Sequence, residues 1–282
     1  GVEFSDIQGL VRFGFGKLPE ACYLLVKIRS PLAARSWLAQ AQFTTAEERN
    51  PPPTKAMQIA LTCQGLEKLG VHRRIMGQFS AEFLEGMARE QNRSVRLGDV
   101  GSNAPEKWEW GGNSNVPDGV LMLFASLGKL FEWEQSVKGS SWKEGFLEIG
   151  RLSTSDMDGR EPFGFIDGIS QPVIDWQKSR EPSANADQLD YGNIVCLGEF
   201  LLGYANEYGR YTVRPLVGSQ EAAGSELPDA EDQPGKKDLG KNGTYLVFRQ
   251  LEQDVPGFWR FAEESARAIQ APAQEIAEAM VG

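Results

Sequence analysis

The chain has 282 residues, 41% of them hydrophobic and 24% charged, which is enough apolar side chain to bury a real core in two ordinary domains. A formal charge of -10 and a pI near 4.9 exclude nucleic acid and membrane surfaces as expected partners, since both are held through clusters of Lys and Arg. No apolar run reaches the roughly 20 residues of a membrane span, and the opening GVEFSDIQGL lacks the basic-then-apolar pattern of a signal peptide. The expectation is a soluble protein, cytoplasmic in preference to exported, although a removed leader keeps export open. Cys22, Cys63 and Cys196 are far apart and odd in number, so neither a disulfide framework nor a structural zinc site is expected and all three read as packing residues. The single histidine, His72, excludes a site made of two imidazoles within this chain.

In chain order, ACYLLVKI (21–28) reads as a buried strand and PLAARSWLAQ (31–40) as a helix opened by Pro. After the breaker ERNPPPTK, AMQIALTC (56–63) is a second strand, and QGLEKLGV (64–71) and SAEFLEGMAR (80–89) are helices. An irregular stretch rich in Gly, Asn and Trp spans 97–117; GVLMLFAS (119–126), a helix over about 127–138 and EGFLEIGRLS (144–153) follow. This order predicts an α+β ferredoxin-like unit, an antiparallel sheet with helices on one face.

Residues 176–242 read mostly as loop, with GSELPDAEDQPGKKD (224–238) solvated or mobile. NGTYLVFRQLEQDV (242–255) alternates as a strand, and PGFWRFAEESARAI (256–269) and APAQEIAEAMV (271–281) read as helices. The predicted boundaries are 1–175 for a first domain, 176–238 for an irregular connection and 239–282 for the incomplete start of a second domain. A single strand and two helices cannot close that second domain, because the strand's backbone groups need partners.

FGFIDGISQP (163–172) places one aspartate, Asp167, between glycines in an apolar stretch. Two readings stand side by side. Asp-Gly flanked by apolar residues is a strong hairpin-turn signal. Alternatively, Phe163, Phe165, Ile166 and Ile169 set the Asp167 carboxylate beside an apolar cavity, where it exchanges protons with a ligand, and Gly164 and Gly168 let backbone approach a flat group closely.

Gly164-Phe165-Ile166-Asp167-Gly168 matches the G-x-x-D-G signature of dye-decolorizing peroxidases, and Ile169-Ser170-Gln171-Pro172 resembles its continuation. DIQGLV (6–11), GEFLLGYANEYG (198–209) and LGKNGTYLVFRQLEQDVPGFW (239–259) resemble further segments of that family in the same order. The chain thus resembles the N-terminal portion of the family's larger members. The resemblance implies two ferredoxin-like domains of dimeric α+β barrel type around haem b. It also implies hydrogen peroxide as oxidant and a bulky aromatic dye or phenol as reducing substrate. Asp167 would be the distal acid-base residue, and Ile166, Gly168, Ile169 and Ser170 would line the haem.

The family's proximal histidine and distal arginine have no match here. His72, in GLEKLGVHRRI, falls in a peripheral part of the first domain, and Arg249 is no secure replacement for the arginine. The expectation is that no metal ligand lies in this chain and that a second polypeptide carries the remaining part. A haem-free truncated homologue acting as a binding or interaction protein is the alternative. Trp108, Trp110, Tyr208 and Tyr211 read as packing residues before electron-transfer sites, and the acidic run 229–232 as a solvated loop before a cation site.

Overall fold

The computed structural model describes residues 1–154, 159–166, 168–169, 171–185, 192–221 and 224–281. Four strands, β1 (Glu20–Ile28), β2 (Lys55–Leu61), β3 (Gly119–Ala125) and β4 (Phe146–Ser153), form one antiparallel sheet in the order β2-β3-β1-β4. The helix Pro31–Gln40 joins β1 to β2, and the helices Leu130–Val137 and Ser140–Gly145 join β3 to β4. This is the ferredoxin-like arrangement that the sequence predicts.

Period-2 alternation sends Cys22, Leu24, Val26 and Ile28 of β1 to one face, where they meet Leu121 and Leu123 of β3 and Met57 of β2. Ala34, Trp37, Val137 and Trp142 of the helices and Phe146 at the start of β4 complete that core. The other face is buried too: Leu25, Gln58, Met122 and Phe124 are shielded, and Phe15 lies against Phe124 with ring centroids 5.1 Å apart. All seven residues of β3 are buried, which explains why GVLMLFA is continuously apolar and does not alternate.

The DIQGLV segment protects an edge of the sheet. The Gln8 side chain donates from Nε2 to the Ile59 carbonyl at 2.8 Å and accepts the Ile59 N–H at 2.8 Å, as a neighbouring strand would. The Leu10 N–H donates to Gln58 Oε1 at 2.9 Å. Backbone groups of β2 that would otherwise template another chain are thereby occupied.

A second compact part of the same unit comes from residues 172–246, whose Ile174, Leu197, Leu201 and Tyr204 cluster with Ile7 and Ala46. Two short ladders, β5 (Val173–Ile174) with β6 (Ile194–Val195) and β7 (Leu216–Gly218) with β8 (Lys236–Asp238), organise it. The stretch 224–238 is largely exposed, as its composition suggests, but its acidic side chains have partners: buried Arg214 pairs with Asp232 and with buried Asp238, the latter at 2.5 Å, while Lys241 pairs with Glu231 and Lys237 with Asp229.

The chain divides into two units that are not linear segments: 1–154 with 172–246, and 155–171 with 247–282. Side chains from 172–246 share a core with the N-terminal segment. Two local expectations are corrected. Residues 243–254 form no strand, since an extended segment is a strand only when laddered to a neighbour, and the helix expected over 80–89 is only Ala81–Glu85, ended by Gly86 at φ +70°.

Behind the sheet, Glu134 is buried and accepts from Arg151 at 3.0 Å and from Lys138 at 2.6 Å. Burial pushes its carboxyl pKa up, but the two cations outweigh burial and hold it below the ordinary value. The neighbouring Cys22 thiol is pushed up to about 11, chiefly by burial and then by the Glu134 charge. A carboxyl with a depressed folded pKa adds stability above its unfolded pKa, and that stability is lost as pH falls through the folded value. We therefore expect Glu134→Gln to cost about 1.5–3 kcal/mol near neutrality. The difference from wild type should shrink in acid, as measured by urea titrations between pH 7 and pH 3.

Candidate functional site

The smaller unit carries the G-x-x-D-G loop and two helices, Val255–Ile269 and Ala273–Val281. Asp254 caps the first helix, its side chain accepting the Gly257 N–H at 2.9 Å, and Pro256 occupies its first turn. The fully buried side chains here are small: Ala262 and Ala266 on the first helix and Ala277 on the second. Larger side chains would push the two helices apart.

The first turn of the Val255–Ile269 helix presents Phe258 and Trp259 to the loop. Phe163 stacks on Phe258 with centroids 4.4 Å apart, Phe165 meets Phe258 edge-on at 6.3 Å, and Phe165 lies nearly parallel to Trp259 at 6.3 Å. Such aromatic pairs add about 0.5–1.5 kcal/mol each beyond burial.

Between these anchors the backbone reverses. The Glu161 N–H donates to the Phe165 carbonyl at 2.9 Å, the Gly164 N–H donates to the Glu161 carbonyl at 2.8 Å, and Arg160 pairs with Ile166 in an isolated bridge. Gly164 has φ +100°, a conformation that a residue with a Cβ rarely adopts. The Glu161 carboxylate accepts the N–H groups of Phe163 at 3.1 Å and Phe165 at 3.3 Å, and the Gln253 side-chain amide at 3.2 Å.

Of the residues singled out from sequence, Asp167 and Ser170 lie outside the described residues. Ile166 is 57% exposed and Ile169 78% exposed, while Gly168 is exposed with φ +76°. Phe163 and Phe165 are engaged by the helix. Sequence reasoning missed Glu161, Gln253, Phe258 and Trp259; the available signal was a carboxylate two and four residues before amides that a glycine turn leaves without ladder partners.

The described residues fit one face of a flat apolar group such as haem. Ile166 and Ile169 offer aliphatic surface, and no described atom lies within 4 Å of where a Cβ would stand on Gly164 or Gly168. His72 belongs to the larger unit and caps the short helix Arg73–Met76, its Nδ1 accepting the Arg74 N–H at 3.2 Å. Among the described residues no group of three His, Cys, Asp or Glu side chains is placed to hold a metal ion. No helix among them is long and apolar enough to cross a membrane. Trp108 donates to the Asn103 carbonyl at 2.8 Å, Tyr208 is exposed, and Tyr211 donates to Glu231 at 3.2 Å.

The fold and loop define an α+β protein with a ferredoxin-like sheet and a glycine-framed carboxylate motif. In sequence the chain is similar, along its whole length, to dye-decolorizing peroxidases. It is 26% identical over 295 aligned residues to Peroxidase 2 of Mycetinis scorodonius, covering 100% of this chain and 49% of that protein. It is 25% identical to the dye-decolorizing peroxidase AauDyP1 of Auricularia auricula-judae, covering 99% of this chain and 49% of the relative. A crystal structure of a decolorizing peroxidase from Auricularia auricula-judae superposes with a TM-score of 0.67 at 22% identity, covering 98% of this chain and 54% of the other. At that identity the superposition shows the fold. No protein-family model matches the chain. The chain spans about half the length of the curated relatives it matches, as an N-terminal portion does.

We expect Phe258→Ala to release the loop from its helix. Removing one half-buried ring from this cluster should cost about 1–3 kcal/mol of the unit's local stability, read as faster amide exchange across 160–169 with the sheet's protection unchanged.

Proposed function

We propose that this chain is the part of a haem-dependent dye-decolorizing peroxidase that carries the acid-base carboxylate, Asp167. The observation that supports this most directly is the fixed loop Arg160–Ile166, seated on its own helix immediately before Asp167 in a chain that resembles these peroxidases throughout. Haem b, when bound, supplies the redox-active iron at which hydrogen peroxide is reduced. Asp167, as a carboxylate, takes a proton from one peroxide oxygen and returns it to the other, so that water can leave. Ile166, Gly168, Ile169 and Ser170 line that side of the group and limit access of bulk water to the proton in transit. A bulky dye or phenolic compound is the electron donor.

His72 being committed to a helix cap, the iron-ligating histidine and the distal arginine come from residues outside these 282, on a second polypeptide in our reading. The same observation favours an alternative, a haem-free homologue that binds or interacts through this fold.

Native mass spectrometry separates the two readings. A mass that exceeds the 31.1 kDa chain by a second polypeptide and one haem supports the peroxidase. The chain alone, or a simple multiple without haem, overturns it. In the haem-loaded protein we expect Asp167→Asn to slow reaction with peroxide by about 10²–10⁴-fold, followed by stopped-flow absorbance, because the amide cannot accept the proton.

A further inference from the structure

The four-stranded sheet treats its two edges differently. At β2 the outer backbone groups are occupied. The Thr44 N–H donates to the Met57 carbonyl at 3.0 Å, the Thr44 hydroxyl accepts the Met57 N–H at 3.1 Å, and Gln8 holds Ile59. At β4 the outer edge is bare: among the described residues no strand or loop is hydrogen-bonded to it. This strand runs for eight residues and contains neither Pro nor Lys, two common means of blunting an edge.

The bonds to β1 fix which backbone groups of β4 face outward. The Thr154 N–H donates to the Ala21 carbonyl at 3.2 Å, and the Arg29 N–H to the Gly145 carbonyl at 2.8 Å. Alternation from those two anchors turns residues 147 and 152 towards β1 and residues 146, 148, 151 and 153 away from it. The step from 148 to 151 is three residues because Leu25 pairs with Gly150 and Val26 with Glu148, leaving Ile149 as an extra residue in β4. The same bulge keeps Glu148 and Arg151 on one face. Glu148 accepts from Lys138 at 2.7 Å and from the Trp142 indole at 3.0 Å, and Arg151 donates to Glu134 at 3.0 Å.

We propose that β4 is a self-association edge, which pairs antiparallel with β4 of a second copy of this chain about a two-fold axis. One antiparallel register engages every outward group of both strands. It sets residue 146 opposite 153 and residue 148 opposite 151, each pair exchanging two N–H···O bonds. A bulge ordinarily spoils an edge for pairing, but here the extra residue of one copy meets the extra residue of the other at the axis. In this register Glu148 of each copy lies directly opposite Arg151 of the other, so opposite charges meet twice, and Leu147 faces Leu152 across the other side of the sheet. Both charged groups have room for a second partner. The Glu148 side chain is 34% exposed and each of its oxygens holds one bond, while the Arg151 side chain is 42% exposed. The inference involves only a sheet edge of the larger unit and none of the residues of the peroxidase reading.

Sedimentation equilibrium of the purified full chain over a concentration series should reach twice the 31.1 kDa chain mass. Ser153→Pro removes an N–H that faces away from β1, where an edge strand tolerates Pro. It should raise the dimer dissociation constant by about tenfold or more, whereas Ser153→Ala, which keeps that N–H, should leave it unchanged. Under mild oxidation the double variant Leu147→Cys/Leu152→Cys should link two copies through disulfides. Each single variant should stay unlinked, because the register holds identical residues at these positions about 16 Å apart. The cysteine pair also serves if Ser153→Pro does not fold. A monomer at every concentration overturns the inference, as does a dimer indifferent to Ser153→Pro or a double variant that does not cross-link. A haem-bearing complex of one copy with a second polypeptide overturns it while supporting the peroxidase reading. A cross-linked dimer without haem does the reverse.

Discussion

Burial of both faces of the β1–β3 pair is the constraint on which the larger unit depends. A strand shielded on both sides has no side chain that can report to water, so every neighbour must supply matching apolar surface or a paired polar group. The helices meet that demand on one face with Trp37, Val137 and Trp142. The exceptions are polar and each is answered: Gln58 by Leu10 and Thr44, and Asp118 by the Ile28 N–H and Lys68. Even glycine choice follows, since a Cβ on Gly65 would stand 2.0 Å from the Asp118 carbonyl oxygen.

The smaller unit is built on a different principle. Its helices meet through alanines, and its aromatic side chains, which in a larger core would be enclosed, are spent on clamping one loop. Rigidity here comes from convergence on Glu161 and from ring packing, not from a sheet.

Much of this was legible in the residues. Strands with continuous apolar runs, a helix opened by Pro31, and the order of strands and helices along the chain follow from periodicity and helix-start preferences, because these are short-range preferences that burial later confirms. The G-x-x-D-G stretch was visible for the same reason: glycines at positive φ and an isolated carboxylate are local statements. Composition gave no sign of the charges that find each other at a distance. Arg214 reaches Asp232 across 18 residues, and no window along the chain reveals such a pair.

The sequence by itself determined the α+β class, the succession of strands and helices along the chain and the G-x-x-D-G stretch, since each rests on preferences among near neighbours. Only the tertiary structure decided that residues 155–171 group with 247–282, that Phe163 and Phe165 serve a helix nearly a hundred residues on, and that Glu161 serves their amides. Those facts depend on which distant surfaces meet, and the free energy of that meeting belongs to pairs of segments, not to either one alone.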